Sequence, residues 1–364
     1  MRRWLDERAQ FIDEDGVVAG RRDFHGGGPA APPNGTSSKV TVTDWVLHHT
    51  GNVAVSSFVD DQVVHYGGQD VDYRFLSVEA WIRRGGTWRL FSSGTIPLHQ
   101  DPPPASLAEE TLNDYVGAYT VGPGSLVTIA RDKAGLAVSA NGAKPTPLAA
   151  EARDVFFTPD LPPGYSRPRA IFQRDAQGRV TGYLRQGIAY AKLGPAAAPA
   201  PATGQPSLGP LKLRDFVVHR SGDIAVATFF HDRDTPVYGQ ILHQTYRSSE
   251  TWIKRGAAWK MITSQGRSVP TDPPATTLPA EQLNDYPGVY AAVPALSVTI
   301  SRQGDGLAAS TNGGKPVLLL AEVRDVFFTP GAPRTSIIFR RDGGGRVTGY
   351  VSRREERDLL FRKT

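Results

Sequence analysis

The chain has 364 residues, a formal net charge of +5 and no cysteine. The missing thiols exclude disulfides, thiolate metal sites and cysteine nucleophiles. No uninterrupted apolar run approaches the length of a membrane-spanning helix, and the basic residues are interleaved with acids instead of gathered on one stripe, which argues against nucleic acid as a partner. With 38 glycines and 29 prolines, many turns and short strands are expected and long helices are not.

Residues 1–38 begin with MRRWLDERAQFIDEDG, which has basic residues but no apolar core behind them and so does not read as a secretory signal. As it stands, the sequence reads as cytoplasmic; an upstream signal lost from the start would make it periplasmic. GGGPAAPPNGTSS follows as a break, and its Asn34-Gly35-Thr36 fits a glycosylation sequon to which no role is given. Residues 39–104 then read as a run of strands, VTVTDWVLHHT, NVAVSSFVDD, VDYRFLSVEAWIRR and TWRLFSS, with turns at Gly51 and Gly85-Gly86. Period-2 counting puts Phe75, Ser77, Glu79 and Trp81 on one face, and Asp44, Val46 and His48 on one face of the first strand. Residues 105–193 read as short strands at close spacing, YVGAYTV, SLVTIARD, GLAVSA, KPTPLAA, DVFFTP, RAIFQRD and GRVTGYLRQ. Such spacing predicts a small antiparallel barrel or sandwich.

After the alanine- and proline-rich stretch 194–210, read as a linker, the same text returns. DWVLHHTGNVAV at Asp44 becomes DFVVHRSGDIAV at Asp215, an offset of 171 residues, and RDVFFTP recurs unchanged at 153–159 and 324–330. The offset becomes 167 at GRVTGY, after a shortened loop. We read this as a tandem duplication, with a second strand module at 211–275 and a second barrel module at 276–364.

FIDEDGVVAGRRDF, the alternating strand, G-N/D-V/I-A-V and the W-I-R/K-R-G-x-x-W hairpin together resemble the SnoaL-like branch of the nuclear-transport-factor-2-like superfamily. That resemblance implies a curved antiparallel sheet wrapped around N-terminal helices and a pocket; here only ten residues precede FIDEDG and the second copy has no equivalent. The open sheet face therefore calls for a cover: the other copy, the barrel module, a protein partner or a homodimer. The segments L-x-x-Y-V/P-G-x-Y, V-x-I-x-R, D-V-F-F and F-x-R-D-x-x-G-R-V-T-G resemble the lipocalin-like domain appended to penicillin-binding-protein-like serine hydrolases. The fold expected is mainly β, a duplicated antiparallel curved-sheet module plus a small lipocalin-like antiparallel barrel, with few helices.

No H-E-x-x-H, P-loop or G-x-S-x-G motif occurs. His48 and His49 are neighbours on a strand, point to opposite faces and cannot share a metal, so no metal and no cofactor is expected. The SnoaL-like resemblance implies acid–base work by His48, Asp44 and Glu79, with Tyr73, Trp81, His219, Glu250 and Trp252 as ligand-binding positions. Against this stands a plain reading of His48 and Glu79 as polar members of a partly solvated sheet, and of Trp81, Trp88, Trp252 and Trp259 as hairpin core. His65 is read as a loop residue. Three functions follow: a non-catalytic binder of a small hydrophobic ligand or a protein, a cofactor-free lyase or isomerase, and a scaffold whose two copies form an internal pseudo-dimer through the open sheet face.

Overall fold

The computed structural model describes residues 2–12, 18–23, 37–66, 68–133, 135–161, 168–194, 209–269, 271–293, 295–331, 334–354 and 357–364. The Asn34 sequon and most of the 194–210 linker lie outside these. The chain is mainly β and divides into two compact units: Met1–Leu98, Leu211–Arg233 and Gln244–Pro270 form one, and His99–Pro210, Asp234–His243 and Thr271–Thr364 the other.

The first unit holds two sheets. Strands β1 (Leu5–Ile12), β2 (Val18–Gly20), β3 (Ser37–Thr50), β4 (Val53–Tyr66), β5 (Gln69–Arg84) and β6 (Thr87–Pro97) form a six-stranded sheet in the order β2-β1-β6-β5-β4-β3. His65 is thus the end of a strand, not a loop residue, and its Nδ1 lies 2.7 Å from Asp70. Expectation also fails in β3. Thr43 pairs with Val59 and Val46 with Ser57, so Asp44 and Trp45 together stand opposite the single Phe58. Asp44 takes the left-handed conformation there, φ 51°, as Asp215 does at φ 52°. A bulge of this kind breaks the two-residue period, so Asp44 falls out of step with Val46 and His48.

The second sheet is β15 (Leu211–Ser221), β16 (Ile224–Val237), β17 (Gln240–Arg255) and β18 (Ala258–Ser268), in that order. Val53, Ile82 and Phe91 of the first sheet cluster with Ile224 and Val226 of the second. Around this apolar patch Gln10 Nε2 donates to Thr228 Oγ1 at 3.3 Å, the Ser92 and Thr251 hydroxyls lie 3.3 Å apart, and Gln265 Nε2 donates to the Gly94 carbonyl at 3.1 Å. The face used is the one that carries Val53, Ala80 and Ile82. Glu79 and Trp81 point the other way, by strand alternation.

The second unit holds two closed up-and-down barrels. The first consists of β7 (Gly117–Thr120), β8 (Val127–Asp132), β9 (Gly135–Ala140), β10 (Thr146–Ala152), β11 (Val155–Phe157), β12 (Ala170–Arg174), β13 (Val180–Arg185) and β14 (Ile188–Lys192), closed by pairing of β14 with β7. The other runs from β19 (Gly288–Val293) through β20 (Leu296–Gln303), β21 (Gly306–Thr311), β22 (Val317–Val323), β23 (Val326–Phe328), β24 (Ser336–Arg341) and β25 (Val347–Arg354) to β26 (Arg357–Lys363). The only helices among the described residues longer than three residues are α1 (Glu109–Asn113) and α2 (Ala280–Leu283).

Each barrel is filled by rings. Tyr115, Tyr119, Phe156, Phe172 and Tyr183 share the first core, and Tyr286, Tyr290, Phe327, Phe339 and Tyr350 the second. RDVFFTP is shorter as a strand than its alternation suggests: Val155–Phe157 is the strand, and Arg153-Asp154 is a turn. Phe156 faces inward, while Val155 packs outward with Ala152 and Ile171 against Val323, Val326, Ile338 and Val351 of the other barrel. Beside this contact the buried Glu151 carboxylate accepts two bonds from Arg169, at 2.8 and 2.6 Å, and one from Arg353.

Candidate functional site

The register of the first sheet decides which candidates meet. Leu47, Ser56, Glu79 and Ser93 stand in one cross-strand row; His48, Val55, Ala80 and Ser92 stand in the next. Side chains in a row share a face and adjacent rows alternate. Glu79 and His48 therefore lie on opposite faces, and it is His49 that shares the face of Trp81, through Ala54. Asp44 and His48 are exposed on the edge strand. The structure does not bring His48, Asp44 and Glu79 together into one site.

It does gather a polar strip around Glu79. Strand β5 runs against β4 without a bulge, so Tyr73, Phe75, Ser77, Glu79 and Trp81 share one face as period-2 counting predicts. Glu79 Oε2 accepts from Ser56 Oγ at 3.1 Å and from Trp81 Nε1 at 3.0 Å. Two residues along, Ser77 Oγ donates to Asp60 Oδ2 at 2.9 Å and lies 3.4 Å from the Thr95 hydroxyl. Burial raises the Glu79 carboxyl above its usual range, against the bonds from Ser56 and Trp81 that pull it down, with the Asp60 charge adding to the rise. Burial likewise raises Asp60, opposed by Ser77 and assisted by Asp61. Phe58 and the rings of Tyr73 and Phe75, 6.4 Å apart, flank the strip. The strip thus sets two carboxyls on a hydroxyl-lined surface flanked by rings.

Residues 211–270 present a changed version of this face. Trp252 Nε1 again donates to Glu250, at 3.0 Å. At the position of Ser56, however, stands Ala227, and at that of Asp60 stands His231. His231 Nδ1 lies 3.3 Å from Ser248 Oγ, and its ring packs 4.9 Å from Tyr246. His219 pairs with Val226, on the face that meets the first sheet, so it is not part of the Glu250 surface. Period-2 counting places Ser77 on this face, but Ser56, Asp60 and Thr95 escape a reading of the sequence because such residues on strands carry no motif; their signal is the cross-strand register with β5.

An open cleft of about 480 Å³ lies elsewhere in this unit, lined by Arg8, Asn52, Arg83, Arg84 and Asp223 among others. His48, Glu79 and Trp81 are not in its lining. Among the described residues no three histidine, aspartate or glutamate side chains gather as metal ligands.

A second set of buried polar groups sits in each barrel. Tyr115 Oη donates to Asp154 Oδ1 at 2.9 Å, and the Asp154 backbone N–H donates back to Tyr115 Oη at 3.1 Å. Arg174 Nε donates to the same carboxylate at 2.9 Å, while its Nη1 donates to both Asp114 Oδ2 and the Gly178 carbonyl, at 2.8 and 2.6 Å. Tyr286, Asp325, Arg341 and Asp285 repeat this arrangement. Burial, with the Asp154 charge, pushes the Tyr115 phenol up to about 12. The polar atoms named here are matched within each barrel, so the set ties the helix end, the turn and the strand of each barrel together.

No family model matches the chain, and no curated protein matches it. Among solved structures it is similar to an association domain of the Ca/calmodulin-dependent kinase II type from Exiguobacterium sibiricum, at 18% identity over 28% of this chain and 78% of that one, with a TM-score of 0.24. An NTF2-like protein from Cytophaga hutchinsonii shares 16% identity over 26% of this chain and 75% of that one, TM-score 0.21. The Chlamydomonas reinhardtii CaMKII hub homology domain shares 16% over 26% and 78%, TM-score 0.23. At values this low, fold and function rest on the strands and residues themselves.

Proposed function

We propose that this chain is a non-catalytic binder of small, partly apolar molecules, whose ligand surface is the Glu79 face of the first sheet. In this reading 39–104 and 211–275 are SnoaL-like sheet modules of the nuclear-transport-factor-2-like kind, 105–193 and 276–364 are lipocalin-like barrels, and the pairs arose by tandem duplication. The observation that carries the binding reading is the Glu79 carboxylate, half-buried and held by Ser56 and Trp81 between aromatic neighbours. A carboxylate kept partly out of water gains most from a ligand that brings a compensating charge or donor. The barrels, filled by their own rings, are on this account supports.

A matched probe series tests it: phenethylamine, 2-phenylethanol and 3-phenylpropionate, followed by thermal shift at neutral pH. The amine is expected to raise the melting temperature most and the carboxylate least. Equal shifts for all three, or none at all, would contradict the proposal.

Two other readings each have one observation in their favour. The raised carboxyls of Asp60 and Glu79 suit acid–base work on an enolisable substrate, as in a lyase or isomerase. Deuterium exchange into 2-indanone that depends on Glu79 would favour it; exchange no faster than in buffer would remove it. The packing of sheet on sheet and barrel on barrel suits a scaffold with an internal pseudo-dimer, which predicts no response to any probe of the series.

A further inference from the structure

Of the 17 large apolar side chains exposed among the described residues, ten lie on two strands. On β3 they are Val40, Val42, Trp45, Val46 and Leu47, and on β15 Leu211, Leu213, Phe216, Val217 and Val218. The second five stand at the positions of the first five, each 171 residues on. Four of the five identities differ between the rows, yet all ten are apolar, and Trp45 and Phe216 are 58% and 56% exposed. A solvated edge strand normally carries charges or a proline to discourage pairing; both strands carry charges, Lys39 and Asp44 on β3 and Lys212, Arg214, Asp215 and Arg220 on β15, but neither carries a proline, and each keeps three consecutive apolar residues, 45–47 and 216–218. Consecutive residues point to both faces of a sheet, so what covers them must reach both faces as well.

Both strands are edges, β3 ending the first sheet and β15 the second. In each, the same aspartate-centred bulge precedes the aromatic residue, and a bulge re-aims the side chain beside it. We infer that these two edges are self-association surfaces, on which a second copy of this chain docks edge to edge. A second copy is the occupant that brings a matching strand with apolar residues on both faces and an aromatic at the same place beside the bulge. The area agrees: five large side chains about half exposed present on the order of 500 Å² per edge. Two such edges together offer about 1,000 Å², the lower bound for a specific interface.

Sedimentation velocity of the full chain, from about 1 to about 100 μM, tests the inference. The wild-type mass is expected to rise with concentration, and the Trp45→Asp/Phe216→Asp variant to stay a single copy with the wild-type unfolding midpoint. A wild-type chain that remains a single copy throughout, or a folded double variant that assembles like wild type, would overturn it. Because the chain has no cysteine, Trp45→Cys and Phe216→Cys each install a sole thiol, which keeps the inference testable should the aspartates unfold the edge. A short bis-maleimide is expected to link copies in one single variant or in the mixture of both. The absence of any linked species at concentrations where the wild type assembles would place the contact elsewhere and sink the proposal.

Discussion

At the scale of single residues, the repeated phrases of the sequence resolve into one device. Asp154 sits in a left-handed turn, φ 67°, and Asp325 does the same at φ 69°. Each receives the tyrosine of LNDY and the arginine of F-x-R-D, so three phrases that are separate in the sequence converge on one carboxylate. Removing it leaves a mostly buried guanidinium without its main partner, and Asp154→Ala is expected to cost about 3 kcal/mol in denaturant unfolding. Tyr115→Phe, which deletes one hydroxyl and its three hydrogen bonds to Asp154 and Arg174, is expected to cost about 1–2 kcal/mol. Glu79 behaves in the opposite sense. Its folded-state carboxyl is raised by burial, so its contribution to stability is present below the ordinary glutamate range and lost as pH rises through the raised value. Glu79→Gln, which can still accept the Trp81 bond, is therefore expected to melt higher than wild type near pH 7, with the difference vanishing toward pH 4. A variant that melts lower at pH 7 would mean that the charged form is stabilised after all.

At the scale of elements, the sequence is legible where a strand obeys its period and opaque where geometry intervenes. The Glu79 face of β5 follows from alternation because β5 pairs with β4 in unbroken register. The same counting fails on β3, where a bulge that no residue type announces displaces Asp44 from His48. The opposition of His48 and Glu79 is invisible in the sequence too, since it depends on which residue of β4 stands beside each. In the barrels, the strands are readable one by one, but nothing local states that β14 returns to β7. Gly182 and Gly349 of the repeated GRVTGY are explained by the close approach of the neighbouring strand, β14 and β26 respectively. A Cβ at either would run into the carbonyl oxygen of the next strand, at Tyr190 and Phe361 respectively. Gly182→Ala is expected to destabilise by about 1–3 kcal/mol, read by denaturant midpoint. Phe156→Ala empties the centre of the first barrel and is expected to cost about 3–5 kcal/mol; wild-type stability in that variant would contradict the ring-filled core.

At the scale of the whole molecule, each unit joins the two halves of the sequence like with like. Val155 and Val326, which hold the same position in RDVFFTP, meet in one apolar cluster, and Gly94 and Gln265, also corresponding positions, meet between the sheets. That arrangement uses the Val53 face of the first sheet and leaves the Glu79 face, with its carboxyls and rings, outside the contact, where the proposed ligand would bind. The two sheets differ on this surface: Ala227 and His231 stand at the positions of Ser56 and Asp60, so a ligand held by paired carboxyls would belong to the first sheet and not the second. Calorimetric titration of phenethylamine into the wild-type chain and into Glu79→Gln and Glu250→Gln tests this most directly. The account predicts binding that Glu79→Gln abolishes and Glu250→Gln leaves intact; binding unchanged in Glu79→Gln, or lost in Glu250→Gln alone, would contradict it.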